Sequence, residues 1–401
     1  MQRYYFDYAA GTPVDPIVEK AMRPYWAEKS GNPGSLHFFG QEASAGVFNA
    51  RDTIAKALGC NYKEVIFTGS ATEANNLAVR GVVRSFRLKF PGIKPKIIVS
   101  TIEHESVLET ARDLERDGVE VVYLPVDKNG LVDLKKLKDA LDERTILVSV
   151  MYVNNEVGSI QPIKMISDMV KNFRGSNNYP LFHTDAVQAF NYLNCNVNDL
   201  GVDLLTLSSQ KIYGPKGCGL LYIRSQKLNV KSQMLGRNFI SPIITGGSAQ
   251  EYGLRAGTEN VPAIVGFGKA IELVSNSREL ENKRLRKLQE YFLAQMKKIA
   301  PKAKLNGPEN LKNRIPNNLN FYFPSRENES GTAQDLLIKL DLAGFAVSPG
   351  AACTARTCQP SHVLKAMGYS DERATSSLRF TFGRPIFKSD IDKLLNEIKK
   401  F

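Results

Sequence analysis

The chain has no apolar run near the roughly 18 residues of a membrane span. It also has no block of five or six like charges, no low-complexity tract, no internal repeat and no Gly/Ser linker. These absences argue against a helical membrane anchor, a charged tail and a repeat architecture, and they point to a soluble protein. Cysteine is scarce and scattered, five residues in 401, so a disulfide framework is not expected and a reducing compartment is. The opening residues Met1 to Asp7 carry no signal-peptide pattern, and the expected location is the cytoplasm. The formal charge of +12 raises the question of nucleic acid. No recognition-helix or RNA-binding signature accompanies it, and acids are mixed with the bases along the same segments, as from Glu279 to Lys287. A solvated basic surface is the better reading, with no direct nucleic-acid partner.

What is present is ordinary globular composition, 43% hydrophobic and 23% charged. The length exceeds the size at which one core stops growing, so two subdomains are expected. Apolar strand-like runs alternate with amphipathic helix-like runs from about residue 64 to 224. The predicted strands are Val65–Phe67, Lys96–Ser100, Val119–Tyr123, Thr145–Val150, Pro180–His183, Asp203–Leu207 and Gly219–Ile223. Several are apolar nearly throughout, as strands covered on both faces must be. The pattern predicts an α/β fold with a mostly parallel seven-stranded sheet. A long helix from about Val261 to Ile299 follows. After it, strand and helix patterns alternate to the end as a smaller α+β unit. The expected division is 1–15 as an N-terminal segment joining the small domain, 16–262 as the large domain and 263–401 as the small one.

Residues with chemistry gather where these strands end, the place where open α/β sheets bind ligands. Lys211 follows the run ending at Leu207 and precedes a Gly214-Pro215 turn. An amine held there can form a Schiff base if its surroundings lower its pKa. Phe67 to Asn76 reads as strand end, small-residue turn and helix start, whose free N–H groups suit a phosphate, with Thr72 adding a hydroxyl. Neither this turn nor Gly266-Phe267-Gly268-Lys269 has the spacing of a nucleotide-binding Gly-rich loop. Asp185 follows another strand and is either a helix cap or the partner of a protonated pyridine nitrogen. His104 sits past a third strand, where an imidazole can stack on a flat cofactor and shuttle protons, and Asn155 lies in a loop able to meet a ligand. Cys353 stands among small residues, with Arg356 near enough in sequence to favour its thiolate. The spacing Cys353-x4-Cys358-x3-His362 resembles part of a zinc site but lacks a fourth ligand, so no metal is expected. Arg379, on an apolar strand, is costly to bury without a carboxylate and is a candidate substrate clamp.

Taken in order, these motifs resemble the cysteine desulfurases, pyridoxal-phosphate enzymes of the class V aminotransferase group with the type I fold. The resemblance runs from Tyr5-Phe-Asp-Tyr-Ala-Ala10 through Ala71-Thr-Glu73, Glu103-His104, Asn154-Asn-Glu156, Asp185-Ala-Val-Gln188, Lys211-Ile-Tyr-Gly-Pro-Lys-Gly217, Arg255-Ala-Gly-Thr258 and Ala352-Cys-Thr354 to Ser377-Leu-Arg-Phe380. It implies that Lys211 holds pyridoxal 5'-phosphate as a Schiff base and Asp185 pairs with the ring nitrogen. It places Asn155 and Gln188 near the ring hydroxyl and His104 against the ring. Ala71, Thr72, Ser208 and the residue at 210 would hold the phosphate, with Thr258 supplied by the other subunit of a homodimer. Arg379, with Asn155, would bind the substrate carboxylate, and Cys353 would take the sulfur.

The Cys353 to Pro360 stretch has the longer form of the NifS/IscS-like branch. The implied reaction turns L-cysteine into L-alanine and an enzyme persulfide, with sulfur passed on to an acceptor protein for iron–sulfur clusters or tRNA thiolation. Two departures stand out. Gln210 replaces the family's usual histidine, and the chain ends at Phe401, soon after its last helix, where some members carry a scaffold-docking tail. Rival readings are a selenocysteine lyase or plain aminotransferase, and a catalytically weakened sulfur-transfer scaffold.

Overall fold

The computed structural model of the chain describes residues 2–225, 239–247, 250–324, 332–349 and 359–400. Strand β1 (Tyr4–Tyr5) opens the chain. The strands β2 (Val65–Thr68), β3 (Lys96–Ser100), β4 (Glu120–Leu124), β5 (Thr145–Ser149), β6 (Leu181–Asp185), β7 (Leu204–Ser208) and β8 (Gly219–Ile223) form a seven-stranded sheet. Its order is β2-β8-β7-β6-β5-β3-β4. The four pairings among β3 to β7 run parallel, while β8 lies antiparallel to both β2 and β7. The sheet is therefore mostly parallel, as its apolar strands predict. Six of the seven strands begin and end within one residue of expectation, and β6 ends two residues later. β6 and β7 run further than expected, so Asp185 and Ser208 are the last residues of their strands and not loop residues.

A second sheet holds β9 (Lys304–Leu305), β10 (Asn318–Tyr322), β12 (Ser348–Pro349) and β13 (Ser377–Thr381) in the order β12-β13-β10-β9. The N-terminal β1 pairs in parallel with β11 (Phe345–Ala346), bringing residues 4–7 beside the chain's last third. Val261–Ile299 is one helix of 39 residues, and Phe38–Leu58 packs along it. Small residues allow a close approach between them: a Cβ on Gly268 would stand 2.8 Å from the Ala50 backbone. Gly266 faces another helix, Pro16–Met22, and a Cβ there would strike the Met22 side chain at 2.6 Å. These glycines therefore serve close helix packing and not a phosphate. No described helix is long and apolar enough to cross a membrane.

Candidate active site

The C-terminal ends of β2, β3, β5, β6 and β7 converge on a cavity of about 230 Å³. Ala71, Thr72, His104, Asn155, Asp185, Gln188, Ser208, Gln210, Lys211 and Arg379 all line it. The residues between Ser70 and Arg379 that the sequence points to are thus brought together, with two exceptions. Thr258 is exposed and stands outside the lining. Cys353 lies outside the described residues, as does Cys358.

Lys211 closes a short turn, Ser209–Lys211, that follows β7 directly. Its Nζ donates to the Ala10 carbonyl at 2.5 Å, which places the amine beside the N-terminal segment. The turn is clamped by Thr12: its N–H and its hydroxyl both donate to the Gln210 carbonyl at 3.0 Å, and its hydroxyl oxygen accepts from Tyr213 N–H at 2.8 Å. Tyr213 has a φ of 65°, a conformation that costs a non-glycine residue about 1–3 kcal/mol and persists only where its neighbours hold it.

The 19-residue helix Ala71–Lys89 starts at the cavity with Ser70 as its cap. The helix start presents unpaired N–H groups and a partial positive charge to the cavity. β8 presses on this turn: a Cβ at Gly219 would sit 2.4 Å from the Ser70 carbonyl carbon, so only glycine fits there. Glu73, in the same first turn, would oppose an anion. Its carboxylate instead accepts from Gly69 N–H at 2.8 Å and from Arg255 at 2.9 Å, which balances the charge. Arg255 belongs to the segment leading to Thr258. That segment begins at Glu251, a buried carboxylate paired with both terminal nitrogens of Arg51 at 2.6 and 2.8 Å, with φ of 43° at Glu251 and 55° at Tyr252.

Asp185 is held by two donors: Val187 N–H at 2.9 Å and Asn75 Nδ2 at 2.8 Å. His104 caps the helix Glu105–Arg116 and points Nδ1 at Ser106. Burial pushes its pKa below the ordinary histidine value; Asp185 opposes that shift and Lys211 adds to it. Beneath them lies Glu103, fully buried, its pKa raised to about 8 by burial, although Ser100 and Met151 N–H donate to it at 2.5 and 2.7 Å. Arg379 is 1% exposed and meets the carboxylate its burial demands: Asp7, at 2.8 Å. A second nitrogen donates to the Asn155 carbonyl at 3.0 Å. Its Nε is buried with no hydrogen-bond partner among the described residues, a donor left over for a carboxylate.

Sequence reasoning missed Asn75, Ser106, Thr12 and Asp7. Asp7 belongs to the N-terminal motif Tyr5 to Ala10 and Thr12 follows it closely, but nothing local links them to positions 379 or 210. The donor set fits pyridoxal phosphate in each of its parts: an amine for the aldehyde, a fixed carboxylate for a ring N–H⁺, and a helix start with the Thr72 and Ser208 hydroxyls for the phosphate. The orphaned Arg379 Nε fits the carboxylate of an amino-acid substrate.

These features define an enzyme of the class V aminotransferase family: the family described as "Aminotransferase class-V" matches residues 4–394, and the chain belongs to it. Enzymes of this family depend on pyridoxal phosphate. Within the family the chain is similar to the protein named cysteine desulfurase IscS of Dictyoglomus turgidum, 45% identical over 396 residues, covering 99% of this chain and 93% of that one. Its similarity to the Rickettsia prowazekii protein of the same name is 42% over 394 residues, covering 98% and 89%. Among solved structures it resembles a NifS-like protein with a TM-score of 0.87, at 34% identity and covering 100% and 99% of the two chains. It also resembles SspA in complex with cysteine, with a TM-score of 0.77 at 32% identity, covering 95% and 99%.

Proposed function

We propose that this chain is a pyridoxal-phosphate-dependent cysteine desulfurase that converts L-cysteine to L-alanine and leaves the sulfur as a persulfide on Cys353. The observation that carries the reading is the convergence of Lys211, Asp185, His104 and Arg379 on one cavity beside a helix start. When bound, pyridoxal phosphate supplies an electron sink that stabilises negative charge at the substrate Cα. Lys211 would hold it through Nζ and, when free, would move the substrate Cα proton. Asp185 would keep a proton on the ring nitrogen, and the Thr72 and Ser208 hydroxyls with the Ala71 turn would take the phosphate. Gln210 stands where the family's histidine would be and offers an uncharged amide to the same group. Arg379 Nε, with Asn155, takes the substrate carboxylate and so turns the side chain toward the thiol. Cys353 Sγ then attacks the substrate sulfur: an S–S bond forms, the substrate Cβ–S bond breaks, and the carbon part leaves as alanine after protonation.

The working unit in this reading is a homodimer, with 1–15 and 263–401 forming the small domain, 16–262 the large one, and Thr258 reaching the partner's phosphate. Its exposure supports that assignment. So do the apolar side chains bared along one stretch, Trp26 at 65%, Leu36 at 92% and Phe38 at 67% exposed. A sulfur-acceptor protein, a scaffold or a tRNA-thiolation enzyme, completes the cycle, in the cytoplasm. Incubation with L-cysteine and a reducing thiol tests the reading, with alanine and sulfide expected in equal amounts. Cys353→Ser is expected to bind L-cysteine but release no sulfide. A protein fully loaded with cofactor that makes no alanine overturns the reading, and a persulfide found on Cys358 by mass spectrometry overturns the choice of thiol.

A further inference from the structure

We infer that Asn75 and Ser106 are positioning residues that lock His104 as the neutral tautomer with its proton on Nε2, making it a fixed hydrogen-bond donor in the cavity and not a proton carrier. An ionised carboxylate only accepts hydrogen bonds, so the Asn75 group 2.8 Å from Asp185 Oδ2 must be the amide nitrogen. Turning the amide over would set its oxygen against that carboxylate. The amide oxygen is itself buried without a hydrogen-bond partner among the described residues, so the two bonds of Nδ2 alone fix the orientation. The second of them runs to Ser106 Oγ at 2.8 Å. Nitrogen donates there, so the Ser106 oxygen accepts and its own proton is free to point elsewhere.

That proton has His104 Nδ1 2.9 Å away, and the Ser106 backbone N–H donates to the same nitrogen at 3.1 Å. A ring nitrogen receiving two donors is unprotonated, and in a neutral imidazole the proton then sits on the other nitrogen. A cationic ring would turn an N–H toward the Ser106 N–H, donor against donor. Among the described residues, the charged and titratable groups around the ring are Asp185, Lys211, Glu105 and His362. Burial outweighs the help from the two carboxylates, so the ring stays neutral, in accord with the geometry. To accept a proton at Nε2 the ring would have to shift its own to Nδ1, where both Ser106 donors stand. Moving the Cα proton therefore falls to Lys211.

The inference concerns the cavity whatever amino acid it takes, so a failure of the desulfurase reading leaves it standing. The test is nitrogen NMR of the full-length protein carrying ¹⁵N-labelled histidine, with and without pyridoxal phosphate. The chain has four histidines, and the signal lost in His104→Gln identifies the ring. The expected spectrum shows His104 with a bare Nδ1 and a protonated Nε2 in both states. Ser106→Ala is expected to give mixed tautomers and Ser106→Thr, which keeps a hydroxyl, to restore the single form. A proton on Nδ1 in the unaltered protein overturns the inference, as does a Ser106→Ala spectrum with the tautomer unchanged. Should Ser106→Ala fail to fold, the unaltered protein's spectrum decides alone.

Discussion

Two buried arginines in the same part of the molecule lead opposite lives. Arg314, in the segment before β10, gives its nitrogens to the carbonyls of Pro308 at 2.9 Å, Val157 at 2.6 Å and Asn306. Among the described residues no carboxylate pairs with it, and burial pushes its pKa down to about 9, still high enough to keep it charged at neutral pH. Arg379, on β13, pairs with Asp7 and one carbonyl and keeps Nε without a hydrogen-bond partner among the described residues. Each of Arg314's three nitrogens ends on the backbone and none is left for a ligand, so the residue ties the loop of Asn155 to the small sheet. Arg379 is equally buried with a donor to spare, which suits a site awaiting an anion. Burial of a charge therefore says little about function; what matters is whether its hydrogen bonds close within the protein.

The sharpest way to break this contrast is to separate activity from stability. Lys211→Ala belongs to the open cavity. Its turnover is expected to fall by about 10²–10⁴-fold or more, the usual worth of a positioned proton-transfer group, with little change in urea unfolding. Borohydride reduction followed by peptide mapping is expected to fix the cofactor to Lys211, and an adduct on Lys216 would refute the assignment. Arg314→Met belongs to the closed knot and should behave the other way. Its orphaned carbonyls cost about 1–3 kcal/mol each. A loss of about 3 kcal/mol or more in denaturant unfolding is expected, with the folded fraction still binding cofactor.

Thr258→Ala probes a donor outside the chain's own cavity. It is expected to weaken cofactor binding by about 1–3 kcal/mol, the range for a hydrogen bond to a charged group. The weakening should appear only in the dimer, and a monomer that holds cofactor as tightly as the dimer would rule out sharing.

Glu103 lies between the two cases, since it is fully buried and, among the described residues, accepts two hydrogen bonds and keeps Oε2 without a hydrogen-bond partner. Its folded pKa of about 8 is raised from 4.5. The folded state therefore keeps a proton that the unfolded state releases, and this contribution to stability falls as pH rises from about 4.5 to about 8. Glu103→Gln is expected to flatten the decline in the urea midpoint between pH 5.5 and 8, and an unchanged slope would show that the carboxyl is ionised in the fold.

Much of the fold was legible because it is local. Strands buried on both faces must be apolar throughout, which is why β3, β5 and β8 read clearly, and Val261–Ile299 has a helix's spacing along its whole length. The helix Phe38–Leu58 is legible only in its second half, where Val47, Ala50, Ile54 and Leu58 recur at helical spacing; its first half buries only small residues, Gly40, Ala43 and Gly46, and leaves Phe38 and Phe39 exposed. Asp371–Thr375 is a single short turn of helix, too short to show a period.

By itself the sequence determined which residues stand at the ends of the central strands: Lys211, Asp185, His104 and the Ala71 turn follow from where apolar runs stop. Tertiary structure alone decided their partners. Asn75 meets Asp185 across 110 residues, Lys211 meets Ala10 across 201, and Asp7 meets Arg379 across 372. Strand order brings these pairs together, and strand order is set by how helices cover the sheet. Sequence spacing reaches one turn or one pleat, whereas a buried charge finds its counter-charge wherever the packed layers deliver it.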